Sequence, residues 1–280
     1  MIRVFPRRTK WTPSDELAFY GDPPLFRPNE QPVHISVTFT WDIPAALRLK
    51  QAWGQYYSNV QIGGPAFDDP GDNFIPGRYI KEEVTITSRG CPHHCPWCHV
   101  PRREGAIREL PIMDGWIIQD NNLLACSREH IEGVFEMLSR QPVGASFKGG
   151  FDGRLLMQWH IDLLKTIKVR ELWFACDSPG ALTVLAKVAD LAADFPRQKK
   201  RCYVMVGYNR ETLAQAEARL EQVYTLGFDP FCQLYRPEKR ILYTKPWRDL
   251  ARKWSRPALY RPRDQMKSKS KPRSKGERRR

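Results

Sequence analysis

The chain has 280 residues, of which 41% are hydrophobic and 11% aromatic, and it carries a formal net charge of +14. Such a length allows one large domain plus an appendage, and the composition excludes a wholly disordered or fibrous chain. No apolar run approaches the roughly 18 residues needed to cross a bilayer, and the basic stretch Met1 to Trp11 lacks the apolar core of a secretory signal, so a cytoplasmic protein with no membrane partner is expected.

Residues 1 to about 32 are rich in proline and charge, including Asp22-Pro23-Pro24 and Arg27-Pro28-Asn29, and irregular structure is expected there. Val33 to Thr40 alternates with period two and predicts a strand. Asp42 stands where it can cap a helix that has Pro44 near its start and runs to about Tyr57. Val60-Gln61-Ile62 predicts a second strand, ended by Gly63-Gly64-Pro65. Residues 1–78 therefore read as an N-terminal extension holding a small β-α-β unit, with a Pro/Gly/Asp-rich connector from Pro65 to Arg78.

From Glu82 the pattern becomes regular. Strands are predicted at Glu83–Thr87, Gly115–Gln119, Gly144–Lys148, Glu171–Ala175, Arg201–Val206 and Pro230–Tyr235. Between them, Ile131, Val134, Phe135 and Leu138 recur at helical spacing, as do Leu213, Ala216, Leu220 and Val223. Ser178-Pro179 supplies a cap and first-turn proline for another helix, and Gly227 can close the last helix before the sixth strand. Alternating strand and helix predicts parallel strands joined by crossovers. Six strands are too few for the closed eight-stranded barrel. The expected fold is α/β, with residues 79–237 forming an open, partial (β/α)6 barrel whose chemistry sits at the carboxyl ends of its strands.

Residues 238–280 form a basic C-terminal segment, expected to be disordered after about residue 261. From Arg248 to Arg280 there are fourteen Lys or Arg against three acidic residues, so most of the net charge lies here. Such a tail either solubilises the chain or contacts nucleic-acid phosphates without regard to sequence. Trp247, Trp254 and Tyr260 interleave with Arg248, Arg252, Lys253 and Arg256, a pattern that serves either base stacking or packing onto the barrel.

Seven cysteines are present, three of them crowded between Cys91 and Cys98. Crowded cysteines without a secretory signal point to a metal site rather than a disulfide framework. Cys126, Cys176, Cys202 and Cys232 are scattered and expected to be small buried hydrophobes, with Cys126, after the second core strand, the one outlying thiol in a place to approach the cluster. Cys91-Pro92-His93-His94-Cys95-Pro96-Trp97-Cys98 is a C-x3-C-x2-C loop directly after the first core strand. Three thiolates can hold three corners of a cubane, and Gly90 lets the backbone turn tightly around it. Clusters held wholly by protein use four cysteines, so three leave one iron open to a ligand. A structural zinc site completed by His93, His94 or His99 is the competing metal assignment.

These residues in this place resemble the radical S-adenosylmethionine superfamily, whose hallmark is C-x3-C-x-aromatic-C after the first strand of a partial barrel, with Trp97 at the aromatic position. The likeness spans roughly Glu82 to Pro237. It implies a [4Fe–4S] cluster on Cys91, Cys95 and Cys98, with S-adenosylmethionine chelating the open iron. It also implies reductive cleavage to a 5′-deoxyadenosyl radical and an electron donor such as flavodoxin or ferredoxin. Asp120, Asn121 and Asn122 occupy the segment, often Gly-Gly-Glu in the family, that meets the amino group of the cofactor. After Gly149-Gly150, Arg154 is a candidate for the methionine carboxylate, and Asp152 is a candidate neighbour or a helix-starting residue. Asp177 is a candidate for the ribose hydroxyls or for capping the helix from Ser178. Gly207 matches the family's strand-end glycine near the adenine. The N-terminal unit resembles the last third of the cobalamin-binding domain found in many members. That leaves cobalamin open as a cofactor, but the D-x-H-x-x-G loop is absent and a degenerate relic is favoured. The substrate stays open, with the basic charge suggesting a nucleic acid or a protein; the alternative is a nucleic-acid-binding protein with a purely structural zinc or iron–sulfur site.

Overall fold

A computed structural model describes residues 1–69, 74–237 and 241–261. The basic stretch from Pro262 onward, with its expected disorder and phosphate contacts, lies outside the described residues. No helix among the described residues is long and apolar enough to cross a membrane.

Four short strands, β1 (Ile2–Phe5), β2 (Ala18–Tyr20), β3 (Val33–Ser36) and β4 (Val60–Gly63), form a parallel sheet in the order β2-β1-β3-β4. The helix α1 (Ile43–Gly54) lays Ala46, Leu49 and Trp53 against Ile2, Val4, Val33 and Ile35 in one apolar cluster. The expectation of irregular structure before residue 32 holds for most of that stretch but is corrected at β1 and β2, and the unit is larger than β-α-β. Ile2-Arg3-Val4-Phe5 shows no alternation because β1 is an inner strand buried along its whole length. Even Arg3 is buried there, its guanidinium spent on the carbonyls of Gly77 and Arg78 and on Asp15. Asp42 stands at the N-cap of α1 as expected, but its side chain makes no capping bond; it ends a 3-10 turn over Thr40–Asp42 and pairs with Arg7. The helix stops at Gly54 rather than Tyr57, whose ring packs on Trp53 at 5.6 Å while its hydroxyl donates to the Pro28 carbonyl at 2.8 Å.

The second sheet holds all six predicted core strands: β5 (Val84–Thr85), β8 (Ile117–Ile118), β9 (Ala145–Phe151), β10 (Val169–Ala175), β11 (Lys200–Val206) and β12 (Asp229–Leu234). A two-residue antiparallel ladder, β6 (Ser88–Arg89) with β7 (Arg108–Glu109), stands between β5 and β8 in the chain. Every neighbour in the six-stranded sheet is parallel, and spatial order follows chain order. Consecutive order means each crossover returns on the same side. Accordingly α3 (Arg128–Ser139), α4 (Gln158–Thr166), α5 (Ala181–Leu191) and α6 (Leu213–Thr225) share one apolar cluster with Leu172, Phe174, Cys202, Val204 and Val206 of the sheet.

The other face of these strands is aromatic and charged. Lys148 pairs with Glu171, the Trp173 ring lies 4.3 Å from that of Tyr203, and Arg201 sits over Trp173. Gly227, at φ +89°, closes α6 as predicted, with the Phe228 amide returning to the Val223 carbonyl at 3.3 Å. Ser178 and Pro179 do not start α5. They form a turn before it, closed by the Ala181 amide on the Ser178 carbonyl at 3.1 Å, and the helix begins after Gly180. Helices α7 (Lys245–Trp254) and α8 (Pro257–Tyr260) pack on β12. Trp254 is buried against Tyr260, and Arg261 pairs with the buried Asp229, so these rings serve packing.

Candidate metal centre

The three-cysteine loop hangs between β6 and the short helix α2 (Val100–Arg103), at the carboxyl end of β5. Its base is pinned in three ways. Gly90 sits at φ +87°, and a Cβ there would come within 2.0 Å of the Ala106 carbonyl oxygen, so only glycine fits. The Cys91 amide donates to the Gly105 carbonyl at 3.1 Å. Glu104, fully buried, lies 3.4 Å from Arg89 and 2.9 Å from Arg103, and Arg108 stands 3.7 Å away, so one carboxylate gathers cations from both arms of the loop. Within the loop, the Cys98 amide donates to the Cys95 carbonyl at 2.9 Å.

The polar triplet after β8 braces this loop. Asp120, 2% exposed, accepts from the Thr87 amide and hydroxyl, both at 2.6 Å, and from the Ser88 hydroxyl at 2.9 Å. Burial pushes its pKa above the ordinary carboxylate value against the pull of those donors. Both oxygens are thus spent inside the protein, and Asp120 acts as a strut rather than a ligand-facing acceptor. Asn121 accepts from the Gly90 amide at 2.9 Å. Asn122 turns its amide group toward the cysteines, donating to the Cys91 sulfur at 3.4 Å and to Asp152 at 3.2 Å. Its side-chain oxygen is buried with no partner in the protein, an acceptor left open beside Cys91.

Asp152 and Arg154, from the turn after β9, form a pair. Arg154 donates through Nε at 2.7 Å and Nη2 at 2.9 Å, so Asp152 holds its arginine and does not start α4. Burial opposes ionisation of Asp152, but the Arg154 bonds and the nearby His93 hold its pKa below the ordinary value. His93 Nε2 lies 2.7 Å from Asp152, at ion-pair distance without hydrogen-bond geometry. The Arg154 pKa is raised, chiefly by its bond to Asp152 and further by the nearby Cys95. His94 and His99 are exposed. Among the described residues no three His, Cys, Asp or Glu side chains close on one point as around a single ion.

Beside the loop, at the carboxyl ends of β10 and β11, opens a cleft of about 560 Å³ lined by Trp97, Asp177, Tyr208, Asn209 and Glu211. The Trp97 ring meets Tyr208 edge-on at 5.4 Å. Asp177 accepts from the Met205 amide at 2.9 Å, which leaves it bridging two strands rather than capping α5, and burial raises its pKa. Gly207, at φ +80°, donates to Glu211 at 2.9 Å, and Tyr243 lies where a Cβ would point. The floor is Arg219, 4% exposed, which binds Glu211 at 2.5 Å and the carbonyls of Cys176 and Met205 at 2.5 and 2.8 Å. Sequence reasoning passed over Arg219, although its position on the buried stripe between Ala216 and Val223 is a signal for a paired buried cation.

Burial pushes the Cys98 thiol up, and the nearby Cys95, Cys91 and Asp177 push it further, because thiolates gathered on one loop repel each other until cations join them. Cys176, Cys202 and Cys232 are buried, as expected of small hydrophobes, and burial raises Cys176 and Cys232 to about 12. Cys126 is half-buried with its thiol pushed up to about 11, chiefly by burial. No protein-family model matches the chain, and no curated protein matches it at a significant level.

Proposed function

We propose that the protein is a radical S-adenosylmethionine enzyme built on an open, partial (β/α)6 barrel. Support for the barrel comes from the sequential parallel strand order, the helices on one face, and a polar-aromatic opposite face around Lys148, Glu171 and Trp173. The observation that carries the activity is the three-cysteine loop at the carboxyl end of β5, with the unpartnered Asn122 oxygen beside Cys91.

The donor set fits a [4Fe–4S] cluster. Cys91, Cys95 and Cys98 would hold three irons, the Asn122 amide and the Arg154 guanidinium would lower the cost of thiolate charge, and no further protein thiol is needed. When bound, such a cluster supplies the electron that breaks the sulfonium C–S bond. The chain's own residues do the positioning. Asn122 Oδ1 would accept from the cofactor ammonium, Trp97 and Tyr208 would wall the adenosyl group in the cleft, and Asp120 with Asn121 keeps the loop from shifting against β8.

Protein purified and reconstituted without oxygen should contain iron and sulfide, and with dithionite should convert S-adenosylmethionine to 5′-deoxyadenosine. Cys91→Ala, Cys95→Ala or Cys98→Ala should each abolish that conversion. Stoichiometric zinc in place of iron, or full turnover by the triple variant, would sink the proposal.

A further inference from the structure

Next to the cysteine cleft the surface carries two large rings that the radical chemistry leaves unused. Phe39 and Trp41 follow β3, stack on each other with centroids 4.6 Å apart and planes 8° apart, and remain 40% and 49% exposed. Rings of this size normally go inside, and a stacked pair held in water is a surface prepared for something flat. They stand where the N-terminal sheet changes direction. The order β2-β1-β3-β4 puts a switch point between β1 and β3, and ligands of open parallel sheets lie at the carboxyl ends of such strands. After β1 come Arg7, paired with Asp42, and Arg8, whose guanidinium lies 5.4 Å from the Tyr20 ring. Of the nearby acidic groups, Asp42 pairs with Arg7 and Asp68 lies 3.8 Å from Arg102.

The ledge connects to the cleft. Arg236, just past β12, holds its guanidinium 5.2 Å from the Trp41 ring. Its neighbour Tyr235 meets Tyr208 edge-on at 4.9 Å, and Tyr208 meets Trp97, between Cys95 and Cys98, at 5.4 Å. A run of aromatic contacts with a cation in it thus leads from the outer surface to the cysteine loop. Alternating aromatic platforms and cations is the recognition chemistry of single-stranded nucleic acid, since every base has a face to stack and every linkage a charge. Most of the chain's +14 lies from Arg248 onward, so at the ledge the charge that would meet a phosphate is that of Arg236.

We propose that Phe39, Trp41 and Arg236 form a binding ledge for single-stranded nucleic acid, which presents a nucleotide to the cleft. That the bound strand is a substrate rests on the function proposed above; the binding itself does not.

The test is fluorescence anisotropy of the full chain with a labelled twelve-nucleotide single-stranded RNA, over a salt series. Phe39→Ala/Trp41→Ala should weaken binding about tenfold or more at every salt concentration, because a lost base stack is worth about a factor of ten and releases no counterions. Arg236→Gln should lower the salt slope by about 0.7, the value for one phosphate contact on a single strand. A blunt duplex of the same sequence should bind more weakly than the single strand. Cys91→Ala should bind RNA as the wild type does, so loss of 5′-deoxyadenosine formation with RNA affinity retained would remove the enzymatic function and leave the ledge standing. RNA affinity of the ring-deleted variant within twofold of wild type, with melting temperature unchanged, would overturn the ledge, as would equal affinity for duplex.

Discussion

At the scale of single residues, the site depends on where hydrogen-bonding capacity is spent. Asp120 spends all of it on Thr87 and Ser88, 33 and 32 residues earlier in the chain. Asp120→Ala removes three bonds to a buried carboxylate, but also relieves the cost of keeping a charge at a fully buried position. Hydrogen bonds to charged groups contribute about 1.5–3 kcal/mol each, so a net loss of about 2–4 kcal/mol is expected in urea unfolding, together with reduced iron uptake. A stability change below about 1 kcal/mol would show that the strut is unimportant. The sequence could not reveal this role, because the donors belong to another strand and only the register of β5 against β8 brings them to Asp120. The cysteine loop was legible because all its chemistry lies within eight consecutive residues, Cys91 to Cys98. The pair of Glu211 with Arg219 was not, because it exists only once α6 docks beneath the strand ends.

At the scale of elements, two local devices invite direct tests. The first is the turn at Gly90. Gly90→Ala forces a side chain into the Ala106 carbonyl at a positive φ, so the cysteine loop must reopen. The variant should fold, judged by far-UV circular dichroism, yet bind less than a tenth of the wild-type iron. Normal iron content would mean that the loop tolerates another path. The second device starts α4. The Met157 amide donates to His160 Nδ1 at 2.9 Å, which requires a neutral ring, and burial lowers the His160 pKa from 6.5 to about 4. The unfolded chain then binds a proton more readily than the folded one between those values. Stability from this group is complete above pH 6.5 and is lost as pH falls toward 4. At about 1.4 kcal/mol per unit, the loss approaches about 3 kcal/mol. His160→Gln keeps an acceptor without the titration, so its melting temperature should fall less over that pH range; an equal fall in both proteins would exclude His160 as the cause.

The elements also divide by how openly the sequence announces them. The long strands β9 to β12 and helices α3 and α6 carry clear periodicity and were placed to within a few residues. β1 and β2 were missed because four and three residues are too few to display a period, and Pro6 and the surrounding charges mask them. What makes them strands is the parallel partnership with β3, a tertiary fact.

At the scale of the whole molecule, two parallel sheets stand together. The N-terminal one ties itself to the connector through Arg3 on Gly77 and Arg78, and to the core through the Lys81 amide on the Trp11 carbonyl at 2.9 Å. The carboxyl-end loop of its β4 also reaches the cysteine loop's helix, where Asp68 faces Arg102 at 3.8 Å, an exposed pair worth at most about 1 kcal/mol. The burial of the scattered cysteines has a practical consequence. With thiols pushed to about 11 or 12 inside the folded chain, Cys126, Cys176 and Cys232 should resist iodoacetamide at neutral pH, and the fully buried Cys202 should resist it as well. Intact-mass spectra of metal-free protein should therefore gain no more than three carbamidomethyl groups before denaturation, all between Cys91 and Cys98. Occupancy of the loop would then be countable, adduct by adduct, on a single spectrum.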